Sequence, residues 1–432
     1  MSDPRHEAAP ATASFGRRGL WGNRDFLKLW LGETISLFGS QVTVLALPLT
    51  AIVTLGAGPA QMGWLQFAQQ APFFILTLLA GVWIDRVRRR PIIVGANLGQ
   101  GLILALIPAI AWLGRLRLWH LYVVAFVVGV LDVLFQLAYQ AYLPSLVGQE
   151  ELLEGNSKLQ FSSSAAALAG PGLAGLLVET ATAPVAIALD ACTFLVAATG
   201  EALIRKPEPP TAGEGPRPAI WTSIGEGLKM AVADPCLRAM LGEAATYNFF
   251  GTAVSTLTVL FATRELGFRP ATLGATMAVG SVTWMAGSLL AGPLTKKWGY
   301  GRTLLVAYVT ACAAPLLMPL ATGPAPIAAV ILTASFALSG IGLSLSNIQV
   351  VSLRQALIPR HLFARVNAGY RFFTMGAAPV GALLGGFLGQ AVGLRAAVAV
   401  CAAGTLLALP WVVSSPIPAL RALPAGRGGG DF

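Results

Sequence analysis

Two long stretches of this chain contain no charged residue. From Thr34 to Ile84, and again from Thr303 to Leu353, the sequence has no Asp, Glu, Lys or Arg. A soluble core does not need charge-free runs of this length, whereas a bilayer requires about 20 apolar residues per helical crossing. The composition agrees, since 55% of the 432 residues are hydrophobic and 11% are charged, against roughly 25% charged in soluble domains. The sequence therefore predicts an all-α membrane protein with several spans.

Turn residues divide the apolar runs into twelve predicted spans. Gly56–Ala60 separates the first two, and the Pro- and Gly-rich stretch 205–219 separates the sixth from the seventh. The predicted spans are 26–55, 61–84, 91–113, 118–141, 159–178, 184–204, 238–262, 271–294, 303–321, 326–348, 368–390 and 394–413. The predicted organisation is a tail (1–25), a six-helix bundle (26–204), a linker (205–236) with an amphipathic helix near Ile220–Val232, a second six-helix bundle (237–413) and a tail (414–432).

The placement of the basic residues predicts the orientation of these spans. Of the 29 Lys and Arg residues, 24 lie in the tails and in the loops that a twelve-span arrangement places on the same side. The other five are Arg115, Arg117, Arg264, Arg269 and Arg395. Because cytoplasmic loops are enriched in Lys and Arg, both termini are expected in the cytoplasm. The net charge of +10 therefore reflects membrane orientation, and we expect no nucleic-acid partner.

The two predicted bundles resemble each other in sequence. Gly81 closes the second span, and Gly292 closes the eighth 211 residues later. Gln140-Ala-Tyr-Leu-Pro144 after the fourth span matches Gln355-Ala-Leu-Ile-Pro359 after the tenth. Three landmarks in register, with Asn156 and Asn367 as the third, predict a repeat of six helices. Such a repeat with a central site is a transporter architecture.

The loop after the second span holds an acidic residue among arginines. It reads Gly81-Val-Trp-Ile-Asp85-Arg86-Val-Arg88-Arg89-Arg90 and resembles the signature G-x-x-x-D-R-x-x-R-R of the major facilitator superfamily. That resemblance implies a fold of twelve transmembrane helices in two six-helix pseudo-repeats. It also implies a conformational latch made by Gly81, Asp85, Arg86, Arg89 and Arg90. The second copy of the loop has Lys296 at the acidic position, so only the first copy is expected to latch. The residues alone also fit a simple topology anchor.

The fifth span carries a second family-like motif. Gly170-Pro171 with Gly175 resembles the glycine-proline motif of exporters in this superfamily, where proline kinks the helix. Further stretches resemble the branch of enterobactin exporters and macrolide efflux proteins, namely Asp25-Phe26, Leu45–Pro48, Ala138–Pro144 and Arg264–Gly267. This resemblance implies a monomeric, proton-driven antiporter of a bacterial inner membrane that needs no cofactor. Its expected partners are protons, lipid and an amphipathic small molecule such as a drug, siderophore or secondary metabolite.

Ionisable residues inside the spans are the candidates for proton coupling, because buried charges in a membrane are costly. They are Asp132, Glu33, Asp190 and Glu243. Asp132 is the first candidate, because Gln136 and Gln140 follow it on the same helix face. Glu201, beside Arg205, is expected at the membrane interface. The three histidines lie in the tail or at the ends of spans, so proton coupling must rest on carboxylates.

Polar stripes also mark the first, fourth, seventh and tenth spans, which line the central cavity in the family fold. The candidate cavity residues are Ser36, Ser40, Gln41, Gln136, Gln140, Asn248, Thr252, Ser335 and Ser339. The alternative is that these side chains only hydrogen-bond neighbouring helices and pack the bundle.

Enzymatic and ATP-driven functions lack their motifs in this sequence. It has no G-x-x-x-x-G-K-[ST], no H-E-x-x-H and no G-x-S-x-G. Its four cysteines are scattered without a CxxC pair or a histidine neighbour, so we expect neither a metal nor a disulfide framework. The chain is expected not to be an enzyme. An importer or uniporter of the same fold remains the main alternative, with a membrane-embedded enzyme less favoured.

Overall fold

The structure, a computed structural model, describes residues 19–84, 87–208, 220–359 and 362–424, and regular secondary structure within these ranges is helical throughout. The helices are α1 (Arg24–Leu49, continued by the π-helical turn Thr50–Thr54), α2 (Pro59–Ile84), α3 (Arg89–Trp112), α4 (Leu118–Leu146), α5 (Leu152–Ala181), α6 (Ala183–Ala202), α7 (Ile220–Ala233), α8 (Pro235–Arg264), α9 (Pro270–Trp298), α10 (Tyr300–Ala313, continued by the 3-10 segment Ala314–Leu320), α11 (Ala325–Leu357), α12 (Phe363–Val392), α13 (Leu394–Thr405) and α14 (Leu409–Val413). Most of the predicted linker (209–219) and the ends of both tails lie outside the described residues.

Ten helical segments of the described ranges are long and apolar enough to cross a membrane. They are α1, α3 to α6, α9, α10 with its continuation, α11, α12, and α13 with α14 as one segment. The helices α2 and α8 fall outside this set, although they have 26 and 30 residues. Helix α8 is more polar than the rest, because Arg238 and Glu243 lie within its first three turns.

Local sequence signals explain where helices begin. Asn23 caps α1, where its side-chain oxygen accepts hydrogen bonds of 3.1 Å from the backbone N–H groups of Asp25 and Phe26. Asp234 caps α8 in the same way, and Pro235 occupies its first turn. Both arrangements satisfy backbone donors that have no partner inside the helix.

The helices pack in two groups with the same pairing scheme. In α1–α6, helix α1 packs on α5 and α6, α3 packs on α4 and α6, and α2 packs on α4. In α8–α13, helix α8 packs on α12 and α13, α10 packs on α11 and α13, and α9 packs on α11. When α1–α6 are matched in order to α8–α13, each helix pair of the first group corresponds to a helix pair of the second group. The amphipathic segment α7 packs on α12, where Gly227 lies against the backbone of Arg365.

The two groups meet mainly through α2 with α12 and α5 with α9. Glycines permit close backbone contact at both places, as is common between membrane helices. An added Cβ at Gly63 would lie 2.9 Å from the Ala382 carbonyl oxygen, and one at Gly175 would lie 3.0 Å from the Cα of Gly274.

These contacts lie toward one end of the molecule. We call the end where α1 begins the terminal face, and the end that holds the loops 55–58 and 265–269 the opposite face. At the opposite face the Arg264 guanidinium donates to the carbonyls of Gly56 (3.0 Å) and Ala57 (2.8 Å). We call the set Gly56, Ala57, Gly63, Gly175, Glu179, Arg264, Arg269, Gly274, Ala382 and Gly386 the seal.

The buried core has the same asymmetry. One cluster joins both groups toward the opposite face, with Leu45 and Leu65 of the first group and Leu257 and Phe261 of the second. Toward the terminal face the core divides into separate clusters, one around Phe26 and Tyr142 in the first group and two in the second group, the larger of which includes α7. The two groups therefore share a core at the opposite face, whereas toward the terminal face their buried clusters are separate and α2 still touches α12 through Phe74 and Phe372, with ring centroids 4.8 Å apart.

Candidate functional site

A cavity of about 750 Å³ lies among α1–α6. Its wall is rich in polar side chains, since every one of these six helices contributes at least one. The polar lining residues are Glu33, Ser36, Ser40, Thr43, Gln66, Gln69, Gln70, Asn97, Gln100, Asp132, Gln136, Tyr139, Gln140, Asn156, Gln160, Ser163 and Asp190. Its volume falls in the range of small-molecule sites, roughly 300–1,000 Å³.

The cavity opens toward the terminal face. Gln140, Asn156 and Gln160 are exposed and lie within about two turns of the ends of α4 and α5 at that face. Toward the opposite face the lining residues Leu47 and Val124 are buried, at 2% and 4% exposure, and the seal lies beyond them. The cavity is therefore open at one face and closed at the other.

Asp132 lines this cavity in the middle of α4, where the sequence predicted a buried carboxylate. Its Oδ2 accepts a hydrogen bond of 3.0 Å from the side-chain amide of Gln136. Gln140 lines the cavity one further turn along the same helix. The predicted face of α4 is therefore a wall of the cavity, and Asp132 has an uncharged hydrogen-bond partner there.

Glu33 lies across the cavity on α1, within electrostatic reach of Asp132. Its Oε2 atom is buried and has no hydrogen-bond partner among the described residues. Two other lining groups share this condition, the amide nitrogen of Gln100 and the hydroxyl of Tyr139. Since buried polar groups almost always have partners, these three atoms indicate where a ligand or water binds.

Asp190 of α6 borders the cavity but is already bonded between helices. It is 1% exposed and accepts hydrogen bonds from the hydroxyls of Thr43 on α1 and Thr193 on α6. An added Cβ at Gly39 would overlap Asp190 and Thr193, so glycine lets α1 and α6 approach around this carboxyl. Among the four carboxylate candidates, this one has the clearest packing role.

Several predicted cavity residues are placed elsewhere by the structure. Ser36 and Ser40 line the cavity, whereas Gln41 packs against Gly170 of α5. In the second group, Asn248 donates to the Thr374 carbonyl (3.0 Å) and Ser335 donates to the Ala314 carbonyl (2.8 Å). These two hydrogen bonds agree with the alternative that such side chains bond to neighbouring helical segments and pack the bundle.

The remaining candidates of the second group, Thr252, Ser339 and Glu243, do not line this cavity either. Thr252 accepts hydrogen bonds from the hydroxyls of Ser255 and Thr256 through its carbonyl. Glu243 is 6% exposed and lies in the second group near Tyr308. The four described carboxylate candidates therefore separate into three at the cavity and one away from it.

The predicted latch is described only in part. Asp85 and Arg86 lie outside the described residues, and Gly81 lies in the last turns of α2. Glu208 accepts hydrogen bonds from the backbone N–H groups of Arg89 (2.8 Å) and Arg90 (3.2 Å). Arg90 also donates to the Ala202 carbonyl (2.6 Å) at the end of α6. These two arginines therefore contact the first group and the start of the linker.

The glycine-proline motif lies where α5 touches two partners. Gly170 packs on α1, while Pro171 and Gly175 meet Gly274 of α9 in the seal. Helix α5 continues through Pro171 from Leu152 to Ala181. The motif thus provides close backbone approach between the two groups.

Sequence reasoning missed the polar residues contributed by α2 and α3. Gln66, Gln69 and Gln70 recur at helical spacing in an apolar helix, a signal that could have placed them on one face. Asn97 has a similar signal, three residues before Gln100. Its amide donates two hydrogen bonds of 2.9 Å to Glu201.

Glu201 lies at the end of α6, as the sequence predicts, but its partner is Asn97 and not Arg205. Glu201 is 1% exposed, because Asn97 supplies the hydrogen bonds that water would otherwise provide. The backbone N–H of Arg205 instead donates to Asp25 (3.2 Å). Within the described residues, no group of three or more His, Cys, Asp or Glu side chains is arranged to hold a metal ion.

Comparison with known proteins is consistent with this architecture. The family model described as Major Facilitator Superfamily matches residues 29–377. The uncharacterized MFS-type transporter YfiS of Bacillus subtilis is 26% identical over 405 residues, covering 90% of this chain and 92% of that protein. Macrolide efflux protein A of Streptococcus pyogenes is 23% identical, covering 65% and 68%, and the enterobactin exporter EntS of Salmonella typhimurium is 25% identical, covering 84% and 85%.

Solved structures share the fold at low sequence identity. The nucleoside transporter NupG has a TM-score of 0.70 at 14% identity, with 90% of this chain and 98% of that chain covered. At such identity the likeness concerns the fold alone.

Proposed function

Because this chain belongs to the major facilitator superfamily and is a transporter rather than an enzyme, we propose that it exports an amphipathic small molecule in exchange for protons, by alternating access. The observation that supports this proposal best is the cavity of about 750 Å³, which holds carboxyl groups, opens at one face and is sealed at the other. The relatives that export macrolides and enterobactin support the outward direction.

The proposed topology has twelve spans in two six-helix halves. Helices α2 and α8 complete the ten apolar segments, since 26 residues at 1.5 Å per residue make about 39 Å, longer than the roughly 30 Å hydrocarbon core. The matching helix pairings of α1–α6 and α8–α13 support the repeat. The proposed boundaries of the halves are 26–204 and 237–413.

The terminal face is proposed to face the cytoplasm of a bacterial cell, with the protein in the inner membrane as a monomer. The 24 basic residues of the tails and same-side loops support this orientation. Five arginines lie on the other side of the predicted topology, and three of them form hydrogen bonds or ion pairs at the opposite face. Arg264 and Arg269 belong to the seal, and Arg395 donates to the Pro319 carbonyl (2.6 Å). These local contacts account for arginines on the side where the enrichment of Lys and Arg in cytoplasmic loops would not place them.

Asp132 is proposed to bind the coupling proton, with Glu33 as the second candidate. Asp132 lies about 20 Å along α4 at 1.5 Å per residue, so it reaches water through the cavity, which opens at the terminal face. Its described partner is the neutral amide of Gln136, which can bond either the protonated or the charged form. Opening of the opposite face would then expose the same carboxyl to the other proton concentration.

Inverted membrane vesicles test the proposal. Uptake of a candidate drug should depend on an imposed pH gradient, and Asp132→Asn should abolish that dependence while the protein still reaches the membrane. Glu150→Gln, an exposed carboxyl on the loop before α5, is the matched control. Gradient-driven uptake at the wild-type rate by Asp132→Asn would place the proton site elsewhere, with Glu33 tested next. Uptake without any gradient dependence in the wild type would indicate the uniporter alternative.

A further inference from the structure

The charges that line the cavity have one sign. Glu33, Asp132 and Asp190 are its ionisable carboxyl groups, and among the described residues its lining includes no Lys, Arg or His. A polar cavity of this size can hold a ligand that carries its own charge. Because like charges at short range repel more strongly where protein replaces part of the water, the sign of the wall favours a ligand of the opposite sign.

Basic residues on the neighbouring turns bond away from the cavity. Lys158 pairs with Glu154 (3.1 Å) and lies over the ring of Trp21. Lys28 pairs with Asp25 (2.8 Å) and donates to the Leu203 carbonyl. These amines are occupied at the terminal face, so they do not neutralise the carboxyls deeper in the cavity.

Unpartnered groups mark where a ligand or water can bond to the wall. Gln100 is 3% exposed and lines the cavity, and its amide nitrogen has no hydrogen-bond partner within the described part of the chain. The buried Oε2 of Glu33 also lacks one there. A carboxylate oxygen accepts hydrogen bonds and an amide nitrogen donates them. A cationic ligand can therefore be held at Glu33 by charge or by an N–H donor, while an oxygen of the ligand or of water can accept from Gln100.

Aromatic rings complete the wall beside these groups. Phe135 and Tyr139 stack with their ring centroids 5.4 Å apart, and Phe73 and Phe194 also line the cavity. Aromatic faces attract cations as well as apolar surface. A metal ion fits less well, since the described residues contain no cluster suited to one and the cavity is far larger than an ion.

We propose that the substrate of this cavity is an organic cation, an amine or quaternary ammonium compound with an aromatic or apolar body, held by Glu33 and Asp132. The proposal rests on the transport function proposed above and narrows it, because an anionic siderophore would meet carboxyls of its own sign and, among the described lining residues, no basic side chain. Asp190 has a smaller part, since Thr43 and Thr193 already bond it.

Two probes of equal shape and opposite charge test the assignment directly. Tetraphenylphosphonium and tetraphenylborate differ in sign while their sizes match. Equilibrium dialysis with the purified full-length protein in detergent, at one pH, should show tetraphenylphosphonium binding at least about 100-fold tighter than tetraphenylborate. Equal binding of the two, tighter binding of tetraphenylborate, or no binding of tetraphenylphosphonium would overturn the proposal.

Substitutions of Glu33 and Asp132 test whether these two carboxyls bind tetraphenylphosphonium. Glu33→Gln and Asp132→Asn should each weaken tetraphenylphosphonium binding at least about tenfold, as expected when a bond to a charged group is lost. Asp132→Glu keeps the charge and should keep most of the affinity, which separates a charge effect from misfolding. Glu150→Gln should leave the affinity unchanged. Affinity that is insensitive to both neutralising substitutions would refute the site.

Transport assays in vesicles distinguish the charge preference of the cavity from proton-coupled export. Selective binding of tetraphenylphosphonium without gradient-driven transport would keep the charge assignment and remove proton coupling. Gradient-driven export of neutral or anionic compounds, with tetraphenylphosphonium excluded, would keep the antiporter and overturn the charge assignment.

Discussion

Replacing Gly175 with alanine should open the seal between α5 and α9. An added Cβ at this position would lie 3.0 Å from the Cα of Gly274 and 3.1 Å from the Cα of Ala271, and it would also overlap the Pro270 carbonyl oxygen. Since carbon atoms prefer separations of about 3.5–4.0 Å, the two helices must move apart by roughly 0.5–1 Å. The substitution therefore penalises only the conformation in which these helices touch.

The expected size of the effect follows from overpacking costs of about 1–3 kcal/mol. Because the cost falls on the sealed state, the population open at the opposite face should rise by a factor of about 5 to about 150, at about 1.4 kcal/mol per tenfold. Glu179 strengthens the sealed state nearby, since it accepts from the Ala271 N–H (2.9 Å) and lies 3.9 Å from Arg269. We therefore expect partial rather than complete opening.

Thiol labelling in intact cells measures this opening. Ser40→Cys places a reporter in the cavity after the four native cysteines have been replaced. A membrane-impermeant reagent added outside should label it faster in Gly175→Ala. Gly172→Ala is the matched control on the same helix, because its added Cβ would meet only the Cβ of Ala278 at 3.8 Å, an ordinary contact. Equal labelling rates for the two variants would refute the assignment of the seal.

Three further substitutions test other parts of the molecule. Thr322→Cys, exposed in the loop before α11, should react with an impermeant reagent from outside intact cells; reaction only after permeabilisation would reverse the proposed orientation. Asp85→Asn should slow transport at unchanged expression if this residue latches a conformation, whereas an equal rate would leave the loop as a topology anchor. Asn97→Ala leaves the Glu201 carboxyl buried without its donors and should cost about 1–3 kcal/mol, seen as a lower thermal unfolding temperature in detergent. The double variant with Glu201→Gln should lose less than the sum of the two single losses, and strict additivity would contradict the buried pair.

The four candidate carboxylates show which parts of the site could be predicted from the sequence. Depth and helical spacing made Asp132 and Glu33 candidates, and the resemblance to the family fold implied that their helices line a cavity; both residues line the cavity among α1–α6. Asp190 and Glu243 satisfied the same criterion of depth, yet one is bonded between helices and the other lies away from the cavity. Depth along a helix is a local property, whereas the direction a side chain faces depends on the neighbours of that helix.

The amino-acid sequence by itself determined the class of the protein. Every backbone polar group must be paired within lipid, which leaves helices or closed barrels, and continuous apolar runs longer than a bilayer crossing favour helices because barrel strands alternate apolar and polar residues. The signature around Asp85 and the resemblance to exporters were also visible before any coordinates, and the family match agrees with them.

Only the tertiary structure decided which polar residues meet and which face is closed. Gln66, Asn97 and Gln100 share one cavity with Asp132 although they lie on two other helices, α2 and α3. The seal depends on pairs such as Gly175 with Gly274, which are 99 residues apart and have no mutual signal in the sequence. Hydropathy records how well each helix suits the membrane, but contacts between helices depend on the shapes of both partners, and these become known only when the helices are packed together.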